Sequence, residues 1–172
     1  MRFRRYFGLT LLSAALSCSA AASYRFDDLQ DAAEKRVKSG LSYELQADIK
    51  EYIASEIIKI GYSEKEKKAR LVQIADCLNS AASLDEKAYK EFMEARDNKE
   101  KAAQESKDEQ ERKDLREEAE SFRNRAQNIC REAARLYERA SGAYAEAGLL
   151  ERKTEAGRES ARCLELLAGK KQ

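Results

Sequence analysis

The sequence predicts an all-α protein built from antiparallel helical hairpins, with one long protruding hairpin. Three observations carry that prediction. The 172-residue chain has no proline and only 7 glycines, and Ala, Glu, Lys, Arg and Leu dominate, a composition of long helices rather than sheets. Apolar residues recur at helical spacing over most of the length, which argues against the disorder that 38% charged residues would otherwise imply. Two series of alanines return every seven positions, and the second faces the first once the chain folds back.

The elements follow in order. Tyr24 to Lys38 carries Phe26, Leu29, Ala33 and Val37 at helical spacing, with Gly40 as its stop. Ser42 caps a second helix whose Leu45, Ile49, Tyr52, Ile53, Ile57 and Ile60 form one stripe, ended by Gly61. This is the most apolar segment after the leader, so it is expected at the centre of the core. Ser63 with Glu66 and Ser83 with Glu86 read as capping boxes opening two more helices. Gly142 and Gly148 flank an expected turn, and a last helix carries Ala156, Ala161, Cys163, Leu164 and Leu167.

The charged stretch 99–114 is compatible with a linker, a solvated helix or a hairpin tip, and the alanines favour the tip. Ala119, Ala126, Ala133 and Ala140 alternate with Leu115, Phe122, Ile129 and Leu136, a pattern that alone resembles half of a coiled coil. Ala81, Ala88, Ala95 and Ala102 form the second series, with Phe92 among them. A fold-back near residues 110 and 111 sets Ala102 opposite Ala119, Ala95 opposite Ala126, Ala88 opposite Ala133 and Ala81 opposite Ala140, with Phe92 level with Ile129. Small residues on both sides allow helix axes to approach more closely than the usual distance of about 8–10 Å. Residues 81–141 are therefore expected to form a long hairpin within a single helical domain, 23–172.

The first 22 residues read as a secretory signal. Arg2, Arg4 and Arg5 precede an apolar run from Tyr6 to Leu16, too short for a membrane span of about 20 residues. Ala20-Ala21-Ala22 offers an A-x-A cleavage site before Ser23. Alternatively, Ala15-Leu16-Ser17-Cys18 resembles the lipobox of bacterial lipoproteins, although Ala15 stands where the branched residue is usual. That resemblance makes Cys18 a lipidation candidate and the one implied membrane anchor. Both routes export the protein to the periplasm or cell envelope. Removing the signal takes away 3 of 33 basic residues and none of the 32 acidic ones, so the formal charge goes from +1 to −2. A near-neutral chain of mixed charge has no footprint for nucleic acid.

The absence of histidine removes the commonest general base and metal ligand. There is no CxxC pair either, so neither a metal site nor a cofactor is expected. The adjacent acids Asp27-Asp28 and Glu117-Glu118 point about 100° apart on a helix, which suits solvated surface better than a paired-carboxylate hydrolase. Cys130 and Cys163 fall at similar distances from the turn near residues 146 to 148, which makes them a disulfide candidate in an exported protein, the alternative being buried thiols packed as small hydrophobes, the commoner arrangement.

Ile53 to Gly61 followed by Lys68 to Asn79 is faintly repeated in Ala140 to Gly148 followed by Glu155 to Leu166. With Ala140, Ala143, Tyr144, Gly148, Ala156 and Cys163-Leu164, the second copy resembles a tetratricopeptide or SNAP-like helical hairpin. That likeness implies an array whose surface binds a partner protein. The expected function is thus non-enzymatic: an interaction or scaffold module acting on another protein of the bacterial cell envelope. Alternatives are a periplasmic holdase chaperone with a helical tentacle and a carrier of a small apolar ligand.

Overall fold

The computed structural model describes the backbone of residues 4–169 and the side chains of residues 26–169. The side chains of Cys18 and of the signal cleavage sites lie outside those described. Four helices follow one another: α1 (Arg4–Ile60), α2 (Lys67–Glu105), α3 (Glu109–Glu146) and α4 (Leu150–Leu167). The molecule is all-α, with α1 packed on α2, α2 on α3 and α3 on α4. With 39 and 38 residues, α2 and α3 each run for about 60 Å at 1.5 Å per residue. Helix α1 accompanies this hairpin to its tip, where Phe26 and Leu29 pack on Ala102, Ala103 and Leu115. Among the described residues, no helix is long and apolar enough to cross a membrane.

Two glycines join the helices as their backbone freedom allows. Gly61 ends α1 at φ 72° and Gly148 ends α3 at φ 75°. At the second joint the N–H of Leu149 donates to the Tyr144 carbonyl (2.8 Å) and that of Gly148 to Ala145 (3.0 Å). This is a Schellman closure, for which glycine is favoured because a Cβ is strained at positive φ. Both copies of the faint repeat are thus helix, glycine, helix. Gly142, expected at the turn, lies inside α3.

The hairpin tip needs neither glycine nor proline. Ser106, Lys107 and Asp108 form the turn, with Ser106 and Asp108 in extended conformations at φ −65° and −84°. Asp108 caps α3 by accepting from the Glu111 N–H at 2.9 Å, and the buried Ser106 hydroxyl donates to the Glu111 carboxylate at 2.6 Å. These bonds satisfy donors that a helix start would leave open. The turn therefore precedes the expected 110–111 tip, and the register shifts by one heptad. The Phe92 ring packs tilted against that of Phe122, centroids 6.3 Å apart, Ala88 shares a cluster with Ala126, and Ala133 lies instead in the cluster of Ala81. Heptad spacing lets either register bury the same alanines, so the capping chemistry decides between them. Ala81, Ala88, Ala95, Ala102, Ala119, Ala126, Ala133 and Ala140 are all buried, as are Leu115, Ile129 and Leu136. Lys99, in the charged stretch, is buried between the helices, bonded to Gln30 of α1 and 2.7 Å from Glu118 of α3.

Two expectations about α1 are corrected. Gly40 is not a stop; the helix runs through it. Ala33, Gly40, Ala47 and Ala54 are a third small-residue heptad series, and all are buried. A Cβ on Gly40 would stand 2.8 Å from Cε2 of Phe92, inside van der Waals contact. Of the Ile-rich stripe expected at the core, only Ile57 packs against it; the rest faces solvent, with Leu45, Tyr52 and Ile60 62%, 62% and 79% exposed. On α2, helix also replaces an expected boundary: Ser83 and Glu86 lie in its interior. The Ser63–Glu66 pair does form, the Glu66 carboxylate accepting from the Ser63 N–H (3.3 Å) and hydroxyl (2.8 Å). It closes the turn preceding α2.

Replacing Gly40 by alanine is expected to destabilise the protein by about 1–3 kcal/mol, because the fully buried Phe92 has no room to yield. In a Phe92→Leu background the same change should cost much less. A double-mutant cycle by urea unfolding checks this; equal costs in both backgrounds would remove Phe92 as the cause.

Candidate functional site

Three features of the described surface and interior could carry function: a thiol and carboxylate cluster beneath α4, an acidic groove beside α1, and the outward stripe of α1. Each is positioned by the small-residue seams.

Beneath α4, the hairpin geometry brings Cys130 and Cys163 together. Both are buried free thiols, and Cys130 Sγ donates to the Cys163 carbonyl at 3.3 Å. The Cys163 Sγ also lies 3.8 Å from Glu86 Oε1. Its hydrogen bond to Cys130, then burial, then the Glu86 charge push the Cys163 thiol up, while the same bond pulls Cys130 down. Glu86, nearly buried, is paired with Arg162 of α4, which also meets Glu159 at 2.7 Å. Burial followed by the Glu86 hydrogen bond raises the Tyr137 hydroxyl as well. Near the Gly148 joint, Tyr144 donates to Asp76 at 2.6 Å, and burial followed by this bond pushes its hydroxyl up to about 12. All these groups have partners inside the fold, so the cluster is a means of fastening α4 rather than an open site. Read as a cap, Glu86 gave no sign in the sequence of this role.

The groove lies between α1, α2 and α3 and encloses about 240 Å³. Its carboxylates are Glu44, Asp48 and Glu51 of α1, Asp85 of α2 and Glu132 of α3, set against aliphatic Ala47, Ile129 and Leu136. Three arginines of α3 hold part of this charge. Arg125 lies 2.6 Å from Glu44, Arg135 2.8 Å from Glu51, Arg139 also meets Glu51, and Arg135 also binds Glu132. Asp85 is only 6% exposed and has no hydrogen bond or ion pair among the described residues. Burial, then repulsion from Glu132, Asp48, Glu44 and Glu51, pushes its carboxyl up to about 7. An aspartate in the middle of a helix carries no sequence signal of such an environment, so sequence reasoning missed it. Among the described residues, no group of three or more acids or cysteines is arranged to hold a metal ion.

The stripe runs along the face of α1 opposite its seam. Leu41, Leu45, Ile49, Tyr52, Ile53 and Ile60 are between 40% and 79% exposed; Leu41, Leu45, Ile49 and Tyr52 or Ile53 recur at three- or four-residue spacing, and Ile60 follows seven residues on, beyond Glu56. At about 200 Å² per residue of this size, the uninterrupted part from Leu41 to Ile53 amounts to an apolar patch on the order of 500 Å². The largest patch on an ordinary monomer is about 300–600 Å² and is often functional.

The raised Asp85 pKa fixes a sign for pH dependence. Its ordinary value is 3.8, so between that and about 7 the folded state binds a proton that the unfolded chain does not. Its contribution to stability is therefore present at low pH and lost as pH rises through 7. Asp85→Asn, which stays neutral, is expected to stabilise the protein by about 2 kcal/mol at pH 8 and by little at pH 4. Thermal unfolding across that range checks it; a variant less stable at pH 8 would contradict the unpaired environment.

Comparison with protein-family models finds no match, and neither the curated proteins nor the solved structures contain one that matches the chain. The functional reading consequently rests on this chain's own geometry.

Proposed function

We propose that the protein is a non-enzymatic interaction module of the bacterial cell envelope, which receives an amphipathic helix of another envelope protein on the outer face of α1. The stripe from Leu41 to Ile60 carries this reading. A helix apolar on both faces belongs between two layers, and here α2 and α3 supply only one. Anchors spaced three and four residues apart over about 18 Å, from Leu41 to Ile53, match the helix-in-groove mode of recognition. Large aliphatic and aromatic side chains held on a rigid helix lose little conformational freedom on binding, which suits them to anchoring. Placement in the envelope rests on the basic and apolar leader and on the likeness of its end to a lipobox. The groove is acid-lined, which favours a partner on the outer surface over a small apolar ligand carried within.

A photo-crosslinking residue placed at Leu45 or Ile49 in cells should trap one defined envelope protein, whereas the same residue at Glu120 of α3 should not. Ile49→Lys in the Leu45 crosslinker should cut the yield at least tenfold while thermal unfolding is unchanged. Equal trapping from Leu45 and Glu120, or none from the stripe, would refute the reading.

A further inference from the structure

The acidic groove supports a site independent of the stripe. Leaving a carboxylate buried without a partner is costly, and of the acids around this cavity the arginines of α3 neutralise Glu44, Glu51 and Glu132. Asp85 on the floor, a buried residue whose carboxylate oxygens still open onto the groove, and Asp48 at the exposed rim have no hydrogen bond or ion pair among the described residues. A bare divalent ion wants six or more oxygens converging on one point, and the described residues offer no such set. A primary ammonium asks for less, one or two carboxylates and an aliphatic sleeve for its methylenes. Ala47, Ile129 and Leu136 provide that sleeve along a cavity of about 240 Å³. An anion would meet five carboxylates there.

We propose that the groove between α1, α2 and α3 binds an aliphatic primary ammonium, its head on the Asp85 carboxylate and its methylene stem along Ala47, Ile129 and Leu136. A second ammonium at the other end of the stem would reach Asp48, so a short α,ω-diamine fits the floor and the rim together. The same chemistry is available from a lysine side chain of a docked protein. The groups facing Asp85 are Glu44, Asp48 and Glu51 of α1 and Glu132 of α3, with Arg125, Arg135 and Arg139 of α3 behind them. Binding therefore strengthens as pH rises through 7 and Asp85 gains its charge.

Calorimetric titration of the full chain with 1,4-diaminobutane at pH 8 and low salt should give saturable one-to-one binding. Asp85→Asn should weaken it at least tenfold, while Glu120→Gln, on the far part of α3, should leave it unchanged. Asp85→Asn is expected to raise the thermal midpoint at this pH, so lost binding would not reflect lost folding. Binding of a blocked lysine as tight as that of the diamine would assign the site to a partner's side chain; at least tenfold preference for the diamine would assign it to the free amine. No heat with either compound at millimolar concentration, undiminished binding to Asp85→Asn, or displacement by magnesium at equal concentration would overturn the proposal.

Discussion

Everything in this molecule depends on how closely three long helices approach one another. Ala33, Gly40, Ala47 and Ala54 on α1, Ala81 to Ala102 on α2 and Ala119 to Ala140 on α3 place a small residue at every seventh position. Heptad spacing keeps such residues on one face of each helix. With no large side chain between backbones, dispersion contacts accumulate along some 60 Å of hairpin. The few large residues then fill the spaces that remain, and Phe92 is the clearest case. Its ring is fully buried, lies against the Cα of Gly40, packs tilted against Phe122 and carries the Arg125 guanidinium at 4.9 Å.

Close approach does not by itself choose which face of α1 turns inward, because α1 is apolar on two faces. Charges flanking the seam make that choice. Arg36 reaches Glu91 at 3.1 Å and Glu94 at 2.8 Å on α2, while Glu44 and Glu51 reach the arginines of α3. Each exposed pair is worth about 0.2–1 kcal/mol, but all of them would be lost if α1 rotated by half a turn. Such a rotation would also drive Leu45, Ile49 and Tyr52 into a gap sized for alanine. Steric exclusion and charge therefore agree, and they leave the large apolar side chains outside. The same orientation brings three α1 carboxylates over Asp85 and creates the acidic groove. Stripe and groove are two consequences of one packing decision.

Much of this was legible in the residues. The alanine series on α2 and α3 pointed to the antiparallel hairpin, and Gly61 and Gly148 marked true helix ends because only glycine takes positive φ without strain. Cys130 and Cys163 were level because the turn at Gly148 sits midway between them. What was not legible has a common cause: a residue's meaning depended on a neighbour far away in sequence. Gly40 has the local signature of a stop, and only the Phe92 ring explains it as a contact. The Ile-rich stripe has the pattern of a core face, and only the competing seam of smaller residues displaces it. Ser106 and Asp108 moved the tip by bonding to Glu111, a choice between registers that heptad periodicity leaves equivalent. Glu86 and Asp85 sit side by side, yet one meets Arg162 and the other meets four like charges.

The central claim is the register in which the small-residue seams meet. It is tested most directly by disulfide trapping between paired cysteines, in a chain whose native Cys18, Cys77, Cys130 and Cys163 are replaced by alanine. Cysteines at Ala88 and Ala126 should crosslink rapidly and in high yield under mild oxidation, and cysteines at Ala88 and Ala133 should not. Efficient crosslinking of the second pair with failure of the first would set the hairpin one heptad out. The account of Gly40, Phe92 and the outward stripe would then fall with it.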